Sequence, residues 1–302
     1  MGAYSSMFIK NYEICLCKDG FYEKLASLIF LPSDYKKRIV NNGVISYTER
    51  VLETTVKICK ERLEIFGVTI ESVREEYEKI REKEKDDNIL DFDTYISSIK
   101  RIIRLKTTHS DKKHRFSKFQ YNLIDNDFYI KGQSDTMWIY SILYTMNEED
   151  VIKYELTWLI NNESGEDEIL KKMVNPKIIV LTEGNTDTEY IKKGLKEICP
   201  HLADYYFFMD FIESEHTIGA SMLVNKVKLF VGSGIKNQIL AIFENDTAGV
   251  EGVDTLKKMN IPENIVVLEY QEVESTKDCN AIEPLNSVEM QLLIASVKTA
   301  WN

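Results

Sequence analysis

Four short, nearly unbroken apolar runs, Lys177–Leu181, Tyr205–Met209, Gln238–Phe243 and Ile265–Leu268, alternate with helix-length segments in the last part of this chain. Runs of that length with no polar alternation suit strands buried on both faces of a parallel sheet. The segments between them read as helices over Thr186–Ile198, Ser221–Phe230 and Val250–Met259. Alternating strands and helices with short links imply right-handed crossovers. In such sheets ligands gather beyond the carboxyl ends of the strands.

The residues before Pro176 follow another pattern. Met7–Ile9 and Tyr12–Cys17 read as a β-hairpin turning at Lys10-Asn11, with Cys15 and Cys17 on one strand face. Ser46-Tyr47-Thr48-Glu49 has capping-box spacing, and Leu52, Val56, Cys59, Leu63 and Phe66 then recur at helical intervals up to Gly67. A second helix is expected from Thr69, with Ile70, Val73, Tyr77 and Ile80 inward and a charged face outward. From Asn161 to Asn175 the chain is polar and acidic, which places a domain boundary at Pro176. The expected class is therefore α/β: a mostly helical α+β module over residues 1–160, a parallel sheet flanked by helices over 176–275, and a helical tail of unassigned role over 276–302.

Composition narrows the function classes. An apolar content of 44% supports packed cores, and no apolar run is long enough to span a bilayer. A cytoplasmic protein without a membrane partner is expected. The five cysteines are scattered without C-x-x-C pairs and read as reduced packing residues. A net charge of −11 excludes a uniformly basic nucleic-acid coat, so contact with nucleic acid would need a local patch or bound cations. Lys100, Arg101, Arg104, Lys106, Lys112, Lys113, Arg115 and Lys118, interrupted only by Asp111, form such a stretch. It suits phosphate contact, and equally a solvated loop balancing the acidic helix before it.

The candidate chemistry lies at the strand ends. Glu183 directly follows the first apolar run, and Glu244 and Asp246 directly follow the third. Gly184 is expected to let the backbone turn sharply after Glu183, and Ala248-Gly249 to keep the later turn small enough for a metal or phosphate to approach. Converging carboxylates offer the hard oxygen donors that Mg²⁺ or Mn²⁺ prefer. Taken singly, each acid is also explained as a helix cap, a turn former or an ion-pair partner. Asp187 fits a helix N-terminus without any metal. Asp210, after the second run, is a further acid open to either role.

Jointly these residues carry a resemblance. Leu181-Thr182-Glu183-Gly184-Asn185-Thr186-Asp187 resembles the first motif of Toprim domains, and Ile242-Phe243-Glu244-Asn245-Asp246-Thr247-Ala248-Gly249 resembles their acidic second motif. The Toprim fold is shared by topoisomerases, primases and the overcoming-lysogenization-defect nucleases. A wider likeness to bacterial HEPN/Toprim-associated proteins begins at Met1-Gly2-Ala3-Tyr4-Ser5-Ser6. It continues through Glu61–Thr69, Tyr154–Leu159, Pro200-His201-Leu202 and Phe208–Phe211.

The resemblance implies a metal-dependent nuclease or phosphodiester-transfer enzyme acting on DNA or RNA in bacterial anti-phage defence. Glu183 matches the proton-transferring glutamate, Asp246 the second aspartate of a metal-binding Asp-x-Asp pair, and Asp187 the acid closing the first motif. The implied metal set is Glu183, Glu244, Asp246 and Asp187, with Mg²⁺ or Mn²⁺. Glu244 departs from the pattern, which has Asp there, and its longer side chain favours Mn²⁺ over the more exacting Mg²⁺. Asp278 and Glu283 are candidates for later acids. The alternative is a degenerate Toprim module that binds nucleic acid or serves as the partner subunit of a defence system.

Other signals point to less. Arg104 and His109 have the Arg-x4-His spacing of HEPN ribonucleases, a short match without the usual polar flank. The N-terminal hexapeptide fits a myristoylation pattern, yet no lipid is expected. Gly232-Ser233-Gly234 lacks phosphate-loop spacing, and His201 and His216 lack partners at ligand spacing.

Overall fold

A computed structural model of the chain describes residues 2–41, 43, 45–84, 90–107, 116–162, 165–209, 219–270 and Ser296. The chain divides into two compact units, one ending at Asn175 and the other beginning at Pro176. The fold is mixed α/β, with an antiparallel sheet in the first unit and a four-stranded parallel sheet in the second.

The first unit contains strands β1 (Tyr4–Ile9), β2 (Tyr12–Lys18), β3 (Tyr35–Asn41), β4 (Ser46–Thr55) and β5 (Val151–Glu155), in the order β2-β1-β5-β4-β3. The expected hairpin forms: Ile9 pairs with Tyr12, and Lys10 makes the turn with φ 56°. Cys15 is buried, Cys17 half-buried, and Leu16 points outward, as alternation requires. The expectation of a helix from Ser46 is corrected. Ser46–Thr55 is a strand held between β3 and β5, and Thr55, not Ser46, caps the helix Val56–Glu64 by accepting from the Ile58 N–H at 3.4 Å. Leu52 and Val56 share helical spacing by coincidence, because Leu52 pairs with Tyr154 of β5.

Helices Ile70–Glu84, Phe92–Thr107, Lys118–Asp125 and Asp135–Tyr144 contribute Val73, Tyr77, Tyr95, Ile99, Leu123 and Ile142 to a core shared with the sheet. The acidic stretch after Asn161 includes a helix, Glu166–Lys172, and Ile169 and Met173 are buried in that same core. Asn175 is buried as well, its amide donating to the carbonyls of Ser27 (2.6 Å) and Phe30 (2.8 Å). No helix among the described residues is long and apolar enough to cross a membrane.

The second unit carries parallel strands β6 (Ile178–Thr182), β7 (Tyr206–Phe208), β8 (Ile239–Phe243) and β9 (Ile265–Glu269), in the order β7-β6-β8-β9. Helices Asn185–Ile198, Ala220–Ser233 and Thr247–Lys257 fill the crossovers. All five residues of β8 are buried, and its Ile239, Ala241 and Phe243 pack with Leu223, Val227 and Leu256 of the helices. The order places β7 on one side of β6 and β8 on the other. The direction of winding therefore reverses between β6 and β8, and such a switch point opens a crevice at the strand ends.

Candidate active site at the strand switch point

Glu183 and Glu244 stand at the carboxyl ends of β6 and β8, on either side of the switch point. Glu183 is only 8% exposed, and its Oε1 accepts the Glu244 backbone N–H at 2.8 Å. Two residues on, Asp246 caps the helix Thr247–Lys257, its Oδ1 accepting the Gly249 N–H at 2.7 Å. Asp187 lies in the first turn of the helix Asn185–Ile198.

The glycines act differently from the sequence expectation. Gly184 has φ −140°, which any residue adopts, so the turn after Glu183 needs no glycine freedom. A Cβ on Gly249 would lie 2.0 Å from the Glu244 carbonyl oxygen and 3.1 Å from Glu183 Oε1. Glycine is required there by the closeness of the protein's own backbone, not to admit a ligand. Thr186-Asp187-Thr188-Glu189 has capping-box spacing, but the helix starts earlier and no capping box forms. Gly184 occupies the N-cap without a side-chain bond, while the hydroxyls of Thr182 and Thr188 bond each other at 2.7 Å.

Three of the carboxyls hold protons more tightly than usual. Burial raises Glu183 most, opposed by the Glu244 N–H and reinforced by the charges of Glu244, Asp246 and Asp187. Glu244 is raised by burial, then by Asp187 and Asp246. Asp187 is raised by burial, against a backbone hydrogen bond from Gly184. The acids are close enough to repel one another. The sequence reading missed Tyr270, which follows β9 as Glu183 follows β6 and would have been found by the same rule. Its N–H bonds the Phe243 carbonyl at 3.0 Å, and its buried hydroxyl has no hydrogen-bond partner among the described residues. Burial, then the charges of Asp187, Glu244 and Glu183, keep that phenol protonated.

The donor set suits a hard divalent cation in kind: carboxylate oxygens whose repulsion a cation would relieve, beside an orphaned hydroxyl. The side chains do not form a ready cage, since no group of three His, Cys, Asp or Glu among the described residues stands at metal-holding distance.

The basic stretch is described in part. Lys100, Arg101, Arg104 and Lys106 lie on the helix Phe92–Thr107, where Arg101 donates to Gln120 Oε1 at 2.6 Å and Lys106 rests over the Tyr12 ring. Lys112, Lys113, Arg115, His109, Asp210, His216, Asp278 and Glu283 fall outside the described residues, as does the 276–302 tail apart from Ser296. His201 sits in the short helix Pro200–Ala203. The Gly232-Ser233-Gly234 segment ends the helix Ala220–Ser233, with Gly234 left-handed at φ 66°, an ordinary helix stop.

The second unit is thus an open parallel α/β sheet with an acidic cluster at its switch point. Residues 1–173 match the family model described as HEPN/Toprim N-terminal domain 1, more than half of the chain, and the protein belongs to that family. No curated protein and no solved structure matches the chain.

Proposed function

We propose that the second unit is a Toprim domain, related to the overcoming-lysogenization-defect nucleases, and that the protein is a metal-dependent nuclease or phosphodiester-transfer enzyme acting on DNA or RNA in bacterial anti-phage defence. The observation that carries this reading is the bond from the Glu244 N–H to the buried carboxylate of Glu183 across the switch point. Glu183, Glu244, Asp246 and Asp187 would hold Mg²⁺ or Mn²⁺, which neutralises phosphodiester charge and activates water when bound.

The chain's own residues supply the rest. Oε1 of Glu183 is committed to the Glu244 N–H, which leaves Oε2 to accept or return a proton. Burial and the charges of Glu244, Asp246 and Asp187 raise its proton affinity above that of an ordinary carboxylate, the direction that a general acid requires. Asp246 orders the first turn of its helix, whose free N–H groups favour an anionic group nearby. Lys100, Arg104, Lys106, Lys112, Lys113 and Arg115 would add phosphate contacts that hold a strand without reading its sequence.

The second reading is a degenerate Toprim module that binds nucleic acid or serves as a partner subunit of a cytoplasmic defence system. The absence of a ready metal cage among the described residues, together with Glu244 at the position where the pattern has Asp, favours it.

Cleavage of mixed DNA and RNA substrates with Mg²⁺ or Mn²⁺ separates the two. The enzyme reading expects metal-dependent cleavage that Glu183→Gln and Asp246→Asn both abolish. No cleavage with either metal, or cleavage indifferent to both changes, supports the second reading.

A further inference from the structure

A cleft of about 320 Å³ opens in the first unit, far in sequence from the acidic strand ends. That volume is at the lower end of the ~300–1,000 Å³ of small-molecule sites. Among the residues that line it are three aromatics, Tyr22, Tyr129 and Trp138, two acids, Asp127 and Asp135, and Cys15, with no Lys, Arg or His. We propose that this cleft binds a small organic cation, an aliphatic ammonium group held against the aromatic rings with Asp127 and Asp135 as its counter-charges.

Two of the three aromatic side chains are held by hydrogen bonds of their own, and the third is on an anchored backbone. The Trp138 indole N–H donates to the Asp127 carbonyl at 2.7 Å, and the Tyr129 hydroxyl donates to the Gln133 carbonyl at 2.6 Å. Tyr22 is anchored through its own N–H, which donates to the Tyr154 hydroxyl at 2.9 Å. Tyr22 and Tyr129 nonetheless remain 40% and 42% exposed, so ring surface stays open to solvent. Aromatic faces attract cations, most strongly where water is partly excluded.

The charges around the cleft point the same way. Neither aspartate has a salt-bridge partner within 4.0 Å among the described residues, and Lys106 acts on Asp127 only at longer range. Lys106, which partly offsets the effect of Glu13 on Asp127, is engaged over the Tyr12 ring at 5.6 Å from its centroid. Burial pushes the Cys15 thiol up to about 12, so it adds no charge to the cleft at neutral pH. An anion would be repelled by two carboxylates without an ion-pair partner among the described residues, and a neutral ligand can donate hydrogen bonds to them but lacks the charge attraction a cation gains.

The loop that presents Asp127 is strained. Asp127 and Phe128 are left-handed in succession, with φ 49° and 66°, a conformation that residues other than glycine seldom adopt twice in a row. The buried Phe128 ring and the Phe128 N–H bond to Leu123 hold it there. Strain of this kind gathers at ligand sites.

Calorimetric titration of the full chain with putrescine and with Nα-acetyl-lysine amide tests the proposal, with uncharged butanediol as control. The two amines separate a free diamine from a protein lysine side chain, and binding of either supports the site. Saturable binding is expected, absent for butanediol. It should weaken about tenfold or more in Asp127→Asn/Asp135→Asn and in Tyr22→Leu. Asparagine tolerates the left-handed conformation, so the double variant keeps the fold, which its circular dichroism and unfolding midpoint verify. No saturable amine binding by the wild type, equal binding of butanediol, or unchanged affinity in the folded double variant would overturn it.

Discussion

The backbone N–H of Glu244 donates to Oε1 of Glu183 across 2.8 Å, tying the ends of two neighbouring parallel strands through one buried carboxylate. That bond sets what each charge change at the site does.

Glu183, Asp187 and Glu244 all bind protons more tightly in the folded chain than carboxyls ordinarily do. Their contribution to stability is therefore full below the unfolded values near ~4 and is lost as pH rises through the raised folded values. Glu183→Gln keeps an acceptor for the Glu244 N–H and removes one of the repelling charges. We expect its unfolding midpoint at pH ~7 to exceed the wild type by about 2–4 °C, with the difference vanishing near pH ~4. Calorimetry of the metal-free protein at both pH values checks this, and a variant less stable at neutral pH contradicts it.

Gly249→Ala drives a methyl group into the Glu244 carbonyl, where the contact would be 2.0 Å. We expect a loss of roughly 3 kcal/mol or more. Gly252→Ala meets the Phe243 ring instead, at 2.9 Å, and should cost less because a side chain yields more readily than backbone. Urea denaturation ranks the two, and the reverse order would show that the backbone at Glu244 moves freely.

Tyr270→Phe removes a buried hydroxyl that has no hydrogen-bond partner among the described residues. Without metal, stability should hold or rise by up to ~1 kcal/mol, since no hydrogen bond is lost. If the hydroxyl serves substrate or metal-bound water, the cleavage rate falls about tenfold while the fold is unharmed. A destabilised Tyr270→Phe protein would reveal a structural partner for the hydroxyl.

Asn175→Asp places carboxylate oxygens against the Ser27 and Phe30 carbonyls that the Asn175 amide now serves. We expect a loss of about 2–3 kcal/mol, more than for Asn175→Ala, because Asp substitutes repulsion for both bonds. Thermal unfolding of the three proteins decides the order.

The parallel sheet was legible because strands buried on both faces read as unbroken apolar runs, and β8 is buried at all five positions. Glu183, Glu244 and Asp246 were legible as acids immediately beyond those runs. Strand β4 was not. Its Leu52 mimics the helical spacing of Val56 and Cys59, and the partner that makes it a strand, Tyr154, lies about a hundred residues away. The packing of the acidic stretch before Pro176 was not legible for a similar reason, since only the fold shows that Ile169, Met173 and Asn175 are buried. Tyr270 was legible by the rule that found Glu183, as a residue just beyond an apolar run, whereas the Gly249 contact depends on how tightly the turn after β8 folds back on Glu244, a distance that the pattern of apolar and polar residues does not encode.

The last strand of the first sheet to be made is its middle one. Tyr154 of β5 lies opposite Met7 on one side and Leu52 on the other, so β1–β2 and β3–β4 remain two separate hairpins until residues 151–155 arrive. On a ribosome adding ~5–20 residues per second, each hairpin waits with the edge that β5 will cover still bare while the whole helical stretch is synthesised. Unpaired edges are sites of aggregation. A nascent chain stalled before Val151 therefore carries two sticky ribbons, and release of this one short segment decides whether the module closes or clumps.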